Sequence, residues 1–368
     1  MRMIHCADLH LDSKLNTYLN EEQRRERRAE LLESFRRMVQ YGRVLQVEAV
    51  LIAGDLFDRN VVSETAVRMV KQVVEDNPEI SFYYLRGNHD DMEVFRNMEP
   101  IPDNLRLFGD TWQYYSQSGK LGPVVIAGAE LNLENQDYLF DQLSLHPDNV
   151  NLVLLHGQES EHTGPDKEVR IPLRKLKNKG IDYLALGHVH TYKQGRLDAR
   201  GIWCYPGCLE GRGFDECGEH GFVLLDVDEE TGICETEFVP FSRRNLYTLY
   251  TDVSGCSCTE EAGTLVEQTL EEAAYDRRHM VKIVLTGDVE VGTELNLRLL
   301  KKRFEHRFFY VKLKDETGMK TDYSRYMDDE TLAGEYVRII SAATEIPEDE
   351  KGILIRYGIL ALSGEEID

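Results

Sequence analysis

The sequence predicts a two-domain α/β protein. Over the first 240 residues, short apolar runs of strand length alternate with longer polar stretches of helical spacing. After Arg243-Arg244 the pattern contracts to one β-α-β-α-β unit. The length, 368 residues, suits one large domain followed by a smaller one.

The elements follow in order. Arg2–Cys6 is a short apolar segment ending in Ala7-Asp8-Leu9-His10. Glu21–Leu45 has helical spacing, with Leu31, Leu32, Phe35, Met38 and Val39 on one side; Arg24, Arg25, Arg27 and Arg28 alternate with acids and read as its solvated face. Glu48–Ala53 is a buried-strand pattern ending at Gly54-Asp55, and Ser63–Asp76 is a helix begun by Ser63. Ile80–Leu85 is a strand running into Gly87-Asn88-His89-Asp90. Val124–Ala129 and Asn151–Leu155 are further strands, the second ending at His156-Gly157. Tyr183–Leu186 leads to Gly187-His188-Val189-His190, and Phe222–Val227 closes the first domain. Beyond it, Leu246–Val253, His279–Thr286 and Phe308–Lys314 read as strands, and Thr259–Arg278 and Gly292–Phe304 as helices. Asp328–Ala343 and Glu348–Leu362 read as two terminal helices. The expected divisions are 1–243, 244–320 and 321–368.

Composition excludes some classes. Against 43 Lys and Arg stand 66 Asp and Glu, a net charge of −23. A protein that grips nucleic acid through a broad basic surface of its own should not be this acidic. No apolar run reaches the roughly 18 residues of a membrane span. Asp8 and Asp12 interrupt the amino terminus too early for a signal peptide. Seven scattered cysteines read as reduced thiols, so a cytoplasmic location is expected.

Five times, residues rich in His, Asp or Asn follow an apolar strand directly. In layered α/β folds the carboxyl ends of strands bind ligands, so five distant loops are expected to converge at one sheet edge. Asp8, His10, Asp55, Asn88, His156, His188 and His190 supply imidazole, carboxylate and one carboxamide, a mixture suited to Mn²⁺, Fe²⁺ or Zn²⁺. Seven side chains exceed the needs of one ion and suit two sharing a bridging carboxylate, an arrangement that can clamp an in-line displacement at phosphorus. Gly54, Gly87 and Gly187 would let the chain turn sharply off its strands. Extended backbone would point both side chains of Asp8-x-His10, and both of His188-x-His190, the same way.

The set D-x-H, GD, GNHD, H and GHxH, in that order, resembles the calcineurin-like metallophosphoesterases over about residues 1–240. The resemblance implies a four-layer α/β/β/α sandwich with a small α+β capping domain and terminal helices. It implies one metal at Asp8, His10, Asp55 and His190, and a second at Asp55, Asn88, His156 and His188. His89 would be the non-ligand catalytic histidine, oriented by Asp90. Ala7–Asp12, Gly54–Arg59 and Tyr205–Arg212 followed by Gly221-Phe222 are similar to the SbcD-like DNA-repair exonuclease branch. That branch implies DNA as substrate, two divalent ions with manganese first and iron or zinc as alternatives, and a coiled-coil SbcC-like ATPase as partner, the chain acting alone or as a homodimer. Asp12 departs from the pattern by standing where the branch usually has Gly.

Blander readings compete. Asp58-Arg59 forms a turn or a group near the phosphate. Cys204, Cys208, Cys217 and His220 are not spaced as a usual structural-zinc site, and the cysteines read as reduced, partly buried thiols. His162 reads as ordinary. Lys167, Arg170, Arg174, Lys175, Lys177 and Lys179 form the densest basic run, either a solvated face or a rail for phosphates. Tyr336, Ile339, Ile340, Ile353, Leu354, Tyr357 and Leu360 either pack the terminal helices or dock a partner. The functional reading is a metal-dependent phosphodiesterase, a DNA nuclease first; a small-molecule phosphodiesterase or nucleotidase, or a non-catalytic scaffold, are the alternatives.

Overall fold

The computed structural model describes residues 1–15, 18–58, 62–90, 98–118, 123–160, 169–289, 293–319, 324–344 and 346–363. Arg59, His162 and Lys167 lie outside the described residues. The chain divides into two compact units, Met1–Tyr247 and Thr248–Asp368.

In chain order the first unit runs β1 (Arg2–Cys6), α1 (Glu21–Val44), β2 (Ala49–Ala53), α2 (Glu64–Glu75), β3 (Ser81–Leu85), β4 (Leu105–Leu107), β5 (Gln113–Ser118), β6 (Pro123–Gly128), α3 (Leu139–Gln142), β7 (Val150–His156), β8 (Tyr183–Gly187), β9 (Lys193–Arg196), β10 (Ile202–Tyr205), β11 (Gly221–Val227) and β12 (Cys234–Pro240). These strands form two mixed six-stranded sheets, ordered β12-β11-β1-β2-β3-β4 and β9-β10-β8-β7-β6-β5. The central strands β1 to β4 are parallel, as are β6, β7, β8 and β10, while β5, β9, β11 and β12 pair antiparallel at the edges.

Strand alternation sorts the core into layers. Met3, Leu51, Tyr83 and Leu85 of the first sheet pack against Ile126, Leu152, Leu154 and Ala185 of the second. On the first sheet's outer face, Ile4, Val50, Ile52 and Phe82 meet Leu31, Phe35 and Met38 of α1 and Val67 and Val70 of α2. The second sheet's outer face meets Phe140 of the four-residue α3 together with Leu143 and Leu176 from turns, so the described cover there is short turns rather than long helices.

Local chemistry starts both long helices. Asn20 and Gln23 form a reciprocal capping box on α1, and the Ser63 hydroxyl caps α2 through the Ala66 N–H. One expectation for α1 is corrected. Arg27 is not on a solvated face; it is 2% exposed and donates to Glu30, Glu210 and the Gly211 carbonyl. The buried face of α1 turns charged near its start because Arg244 and Ser34 complete the pairing of Glu30 and Glu210 there.

The second unit contains most of β13 (Leu246–Asp252), then α4 (Thr259–Ala273), β14 (Met280–Thr286), α5 (Leu297–Phe304), β15 (Tyr310–Asp315), α6 (Ser324–Met327), α7 (Leu332–Ala342) and α8 (Glu348–Ser363). Its small sheet is ordered β13-β14-β15, with β14 and β15 parallel. Val266, Leu270, Ile283, Leu285, Leu300 and Phe304 fill its core. Helix α4 stops short of Arg278 because Ala274 adopts φ 49° and closes the helix onto the Leu270 carbonyl. Helix α5 begins at Leu297, after an Asn296 cap. Tyr336 of α7 donates to the Leu354 carbonyl of α8 at 3.0 Å, whereas Ile339 and Tyr357 are exposed.

Candidate metal centre

Three of the five loops leave β1, β2 and β3, neighbours in the first sheet, and two leave β7 and β8, neighbours in the second. The expected convergence on one sheet edge is therefore replaced by the matched edges of two packed sheets. Backbone bonds join the loops: Asp8 N–H donates to the Gly54 carbonyl, His10 N–H to Asp55, Leu11 N–H to Leu56 and Gly157 N–H to Gly187.

The expected extended backbone is absent. Asp8, His10 and Asp55 sit at φ 52°, 43° and 49°, in the left-handed region, and His188 at φ 103°. Asp and His tolerate the left-handed well better than most residues. Asp12 also lies there, at φ 64°, and its carboxylate accepts the Ser63 N–H at 2.7 Å. An aspartate can thus serve a position that otherwise favours Gly. The glycines let the chain turn where a Cβ would clash, as expected. Gly54 has φ 93°, but Gly87 and Gly187 are needed for space. A Cβ would drive Gly87 into the Asp55 carboxylate and Gly187 into the Ala53 carbonyl.

All seven expected donors come together. His10 Nε2 lies 3.8 Å from Asp55 Oδ2 and 3.3 Å from His190 Nε2, which is 3.9 Å from Asp8 Oδ1. On the other side, His156 Nε2 lies 3.4 Å from Asp55 Oδ2 and 3.0 Å from Asn88 Oδ1. The His156 and His188 rings meet edge to face at 5.4 Å, and the His188 N–H donates to the Asp8 carboxylate at 2.9 Å. His188 and His190 thus turn toward different partners. Asp8, His10 and His190 form one group able to hold a cation, and Asp8, Asp55 and His156 another.

The donor chemistry fits divalent cations. His156 Nδ1–H donates to the Ala53 carbonyl at 2.9 Å, so Nε2 presents its lone pair to the oxygens of Asp55 and Asn88. Lone pairs crowded together under burial require a cation or an extra proton. Accordingly, although burial alone would lower it, the Asp55 charge pushes the His156 ring up to about 9. Burial pushes Asp8 up to about 6 and His10 down to about 4. Burial alone would raise Asp55, yet the facing His156 and His10 hold it below the usual carboxylate range.

Asp90 is not placed at His89. Its part-buried carboxylate accepts the N–H groups of Phe57, Gly87 and Leu56 at 2.8, 2.9 and 3.3 Å, tying the Asp55 loop to the Asn88 loop. The carboxylate beside His89 is Asp58, whose Oδ1 is 3.2 Å from Nδ1. Asp58 also accepts from Ser13 at 2.7 Å. Sequence reading also passed over Glu216, whose Oε1 lies 2.6 Å from His190 Nδ1. The only available signal was its place just beyond the Tyr205–Arg212 segment. In the basic run, Lys175 donates to the Asp137 carbonyl at 2.8 Å and Lys179 to Phe140 at 2.7 Å.

This fold, with its paired His/Asp/Asn loops, defines a metallophosphoesterase: residues 1–192 match the calcineurin-like phosphoesterase family, and the chain belongs to it. More particularly, it is 28% identical over 237 residues to the uncharacterized metallophosphoesterase YhaO of Bacillus subtilis, covering 62% of this chain and 57% of that protein. It is 27% identical over 402 residues to the DNA double-strand break repair protein Mre11 of Methanopyrus kandleri, covering 100% of this chain and 83% of that protein. It is 24% identical over 271 residues to one of the subunits of the nuclease SbcCD of Staphylococcus epidermidis, covering 65% of this chain and 69% of that protein. Among the described residues no helix is long and apolar enough to cross a membrane.

Proposed function

We propose that this chain is a two-cation phosphodiesterase that cleaves DNA, working with a coiled-coil ATPase. The observation that carries the reading is the convergence of seven donors from five loops on matched sheet edges, with Asp8, His10, Asp55 and His156 buried, His188 and His190 part-buried and Asn88 exposed. Asp8, His10, Asp55 and His190 would hold one cation, and Asp55, Asn88, His156 and His188 the other. Two such ions, manganese first, supply charge neutralisation at the phosphate and a lowered pKa for attacking water.

The protein's own groups do the remaining work. Asp58 Oδ1 stands 3.2 Å from His89 Nδ1, so Nε2 would be the atom that hands a proton to the departing oxygen. Asp90 keeps the two loops carrying Asp55 and Asn88 in register rather than touching the substrate. The unit after residue 247 is read as the capping domain. Likeness to a DNA double-strand break repair protein and to one subunit of a nuclease supports a DNA substrate and a protein partner.

The acidic charge of −23 favours a second reading, a small-molecule phosphodiesterase. Purified protein with Mn²⁺ is offered linear single- and double-stranded DNA, cyclic nucleotides and bis-p-nitrophenyl phosphate. Nucleotide release from DNA, lost in His89→Ala, is the expected result. Turnover of the small diesters alone selects the second reading. Full metal loading without any turnover refutes catalysis altogether.

A further inference from the structure

We infer that Glu216 is a positioning residue for His190, an anionic clamp that supports one of the two cation positions and leaves the other untouched. Glu216 Oε1 lies 2.6 Å from His190 Nδ1. A carboxylate only accepts, so the ring proton sits on Nδ1 and Nε2 is left bare, facing His10 and Asp8. A carboxylate behind an imidazole raises its basicity and fixes its tautomer. The equivalent group behind His156 on the other side is the neutral Ala53 carbonyl. The two positions therefore differ in what backs their histidines.

Glu216 is itself held from several directions. The Arg212 N–H donates to Oε2 at 2.6 Å and its Nη2 to Oε1 at 3.0 Å. His220 Nε2 donates to the Glu216 carbonyl at 2.9 Å, and the Cys208 thiol donates to His220 Nδ1 at 3.2 Å. Gly211 leaves the room this needs, since a Cβ there would stand 2.8 Å from both the Glu216 carbonyl and His220 Nε2. A surface glutamate in a turn would need none of this. The arm also gives Cys208 and His220 a purpose that a zinc reading does not.

The inference rests on the two-cation reading above, and the test separates the two. Metal-free protein is titrated with Mn²⁺, and free Mn²⁺ is counted by its electron paramagnetic resonance signal. Wild type should bind two equivalents. In Glu216→Gln one equivalent should weaken about 10–100-fold while the other keeps its wild-type affinity. Equal weakening of both, or no change, overturns the clamp. A wild type that binds no Mn²⁺ overturns the two-cation reading and the clamp with it. Should Glu216→Gln fail to fold, the wild type still decides: in Zn²⁺-loaded protein, ¹⁵N resonances should show His190 protonated on Nδ1. A proton on Nε2 refutes the clamp while leaving metal binding intact.

Discussion

Replacing Asp90 should cost stability before it costs chemistry. Its carboxylate accepts two well-placed backbone N–H groups, from Phe57 and Gly87, and a longer one from Leu56. Asp90→Ala orphans them under burial. At roughly 1–3 kcal/mol for each of the two short bonds, the loss spans about 2–6 kcal/mol. Two facts favour the lower part of that span. Burial, reinforced by the Asp55 charge, pushes Asp90 up to about 6, so the folded protein holds its ionised form at a cost that the substitution removes. The alanine also leaves space for water to reach the freed N–H groups. About 2–4 kcal/mol remains, which for a unit of this size lowers the melting temperature by about 4–16 °C. Calorimetry of the metal-free protein measures this directly. Asp90→Asn should lose less, because one carbonyl oxygen persists. An Asp90→Ala protein that melts with wild type yet turns over slowly would refute the loop-tie and return Asp90 to the role of orienting His89.

Asp58→Ala should lower turnover about tenfold and His89→Ala about 10²–10⁴-fold, both with metal content unchanged by elemental analysis; loss of metal would make these residues ligands or supports instead. Arg27→Met breaks a buried ion cluster, at about 3 kcal/mol, the low end for such clusters because Arg244 still pairs with Glu30; a melting shift below a degree would contradict it. In that cluster, burial alone would raise Glu30, but Arg244 and Arg27 hold it below its ordinary value of about 4.3. Its contribution is therefore present above that pH and lost as pH falls through the depressed value; acid unfolding of Glu30→Gln should show less of this acid-side loss than wild type. For DNA binding by the isolated chain, two of the five described residues of the basic run, Lys175 and Lys179, are engaged with carbonyls, so no more than three can contact phosphate. The slope of log K against log salt should then be no steeper than about −3, and a slope beyond −5 would mean a phosphate-binding surface elsewhere.

The central strands were legible because each is buried on both faces and carries an unbroken apolar run, as in Ala49–Ala53 and Leu152–Leu155. The edge strands were not. Gln113–Ser118 and Lys193–Arg196 carry polar residues that look like loop, and only pairing to an inner neighbour makes them strands. Nor can repetition along a chain say whether five loops share one sheet or two; that depends on which strands are neighbours. The donors themselves were legible because their chemistry is rare in combination. Their supports were less so: Asp58 was open between a turn and a group near the phosphate, and Glu216 differs from any turn acid only in what it touches.

The backbone at the site shows why motif spacing identified the right residues through the wrong geometry. Alternation in extended chain cannot bring Asp8 and His10 together, because both lie at positive φ. Residues held in such wells cost on the order of 1–3 kcal/mol each and persist only where surroundings over-determine them. Here the surroundings are the bonds from Asp8 to Gly54 and His10 to Asp55 and the packed strands beneath. Aspartate and histidine are at once good ligands for hard and borderline cations and among the non-glycine residues that best tolerate the left-handed well. One choice of residue therefore satisfies the turn and supplies the donor. That coincidence lets a motif of a few letters specify a site that no local periodicity describes.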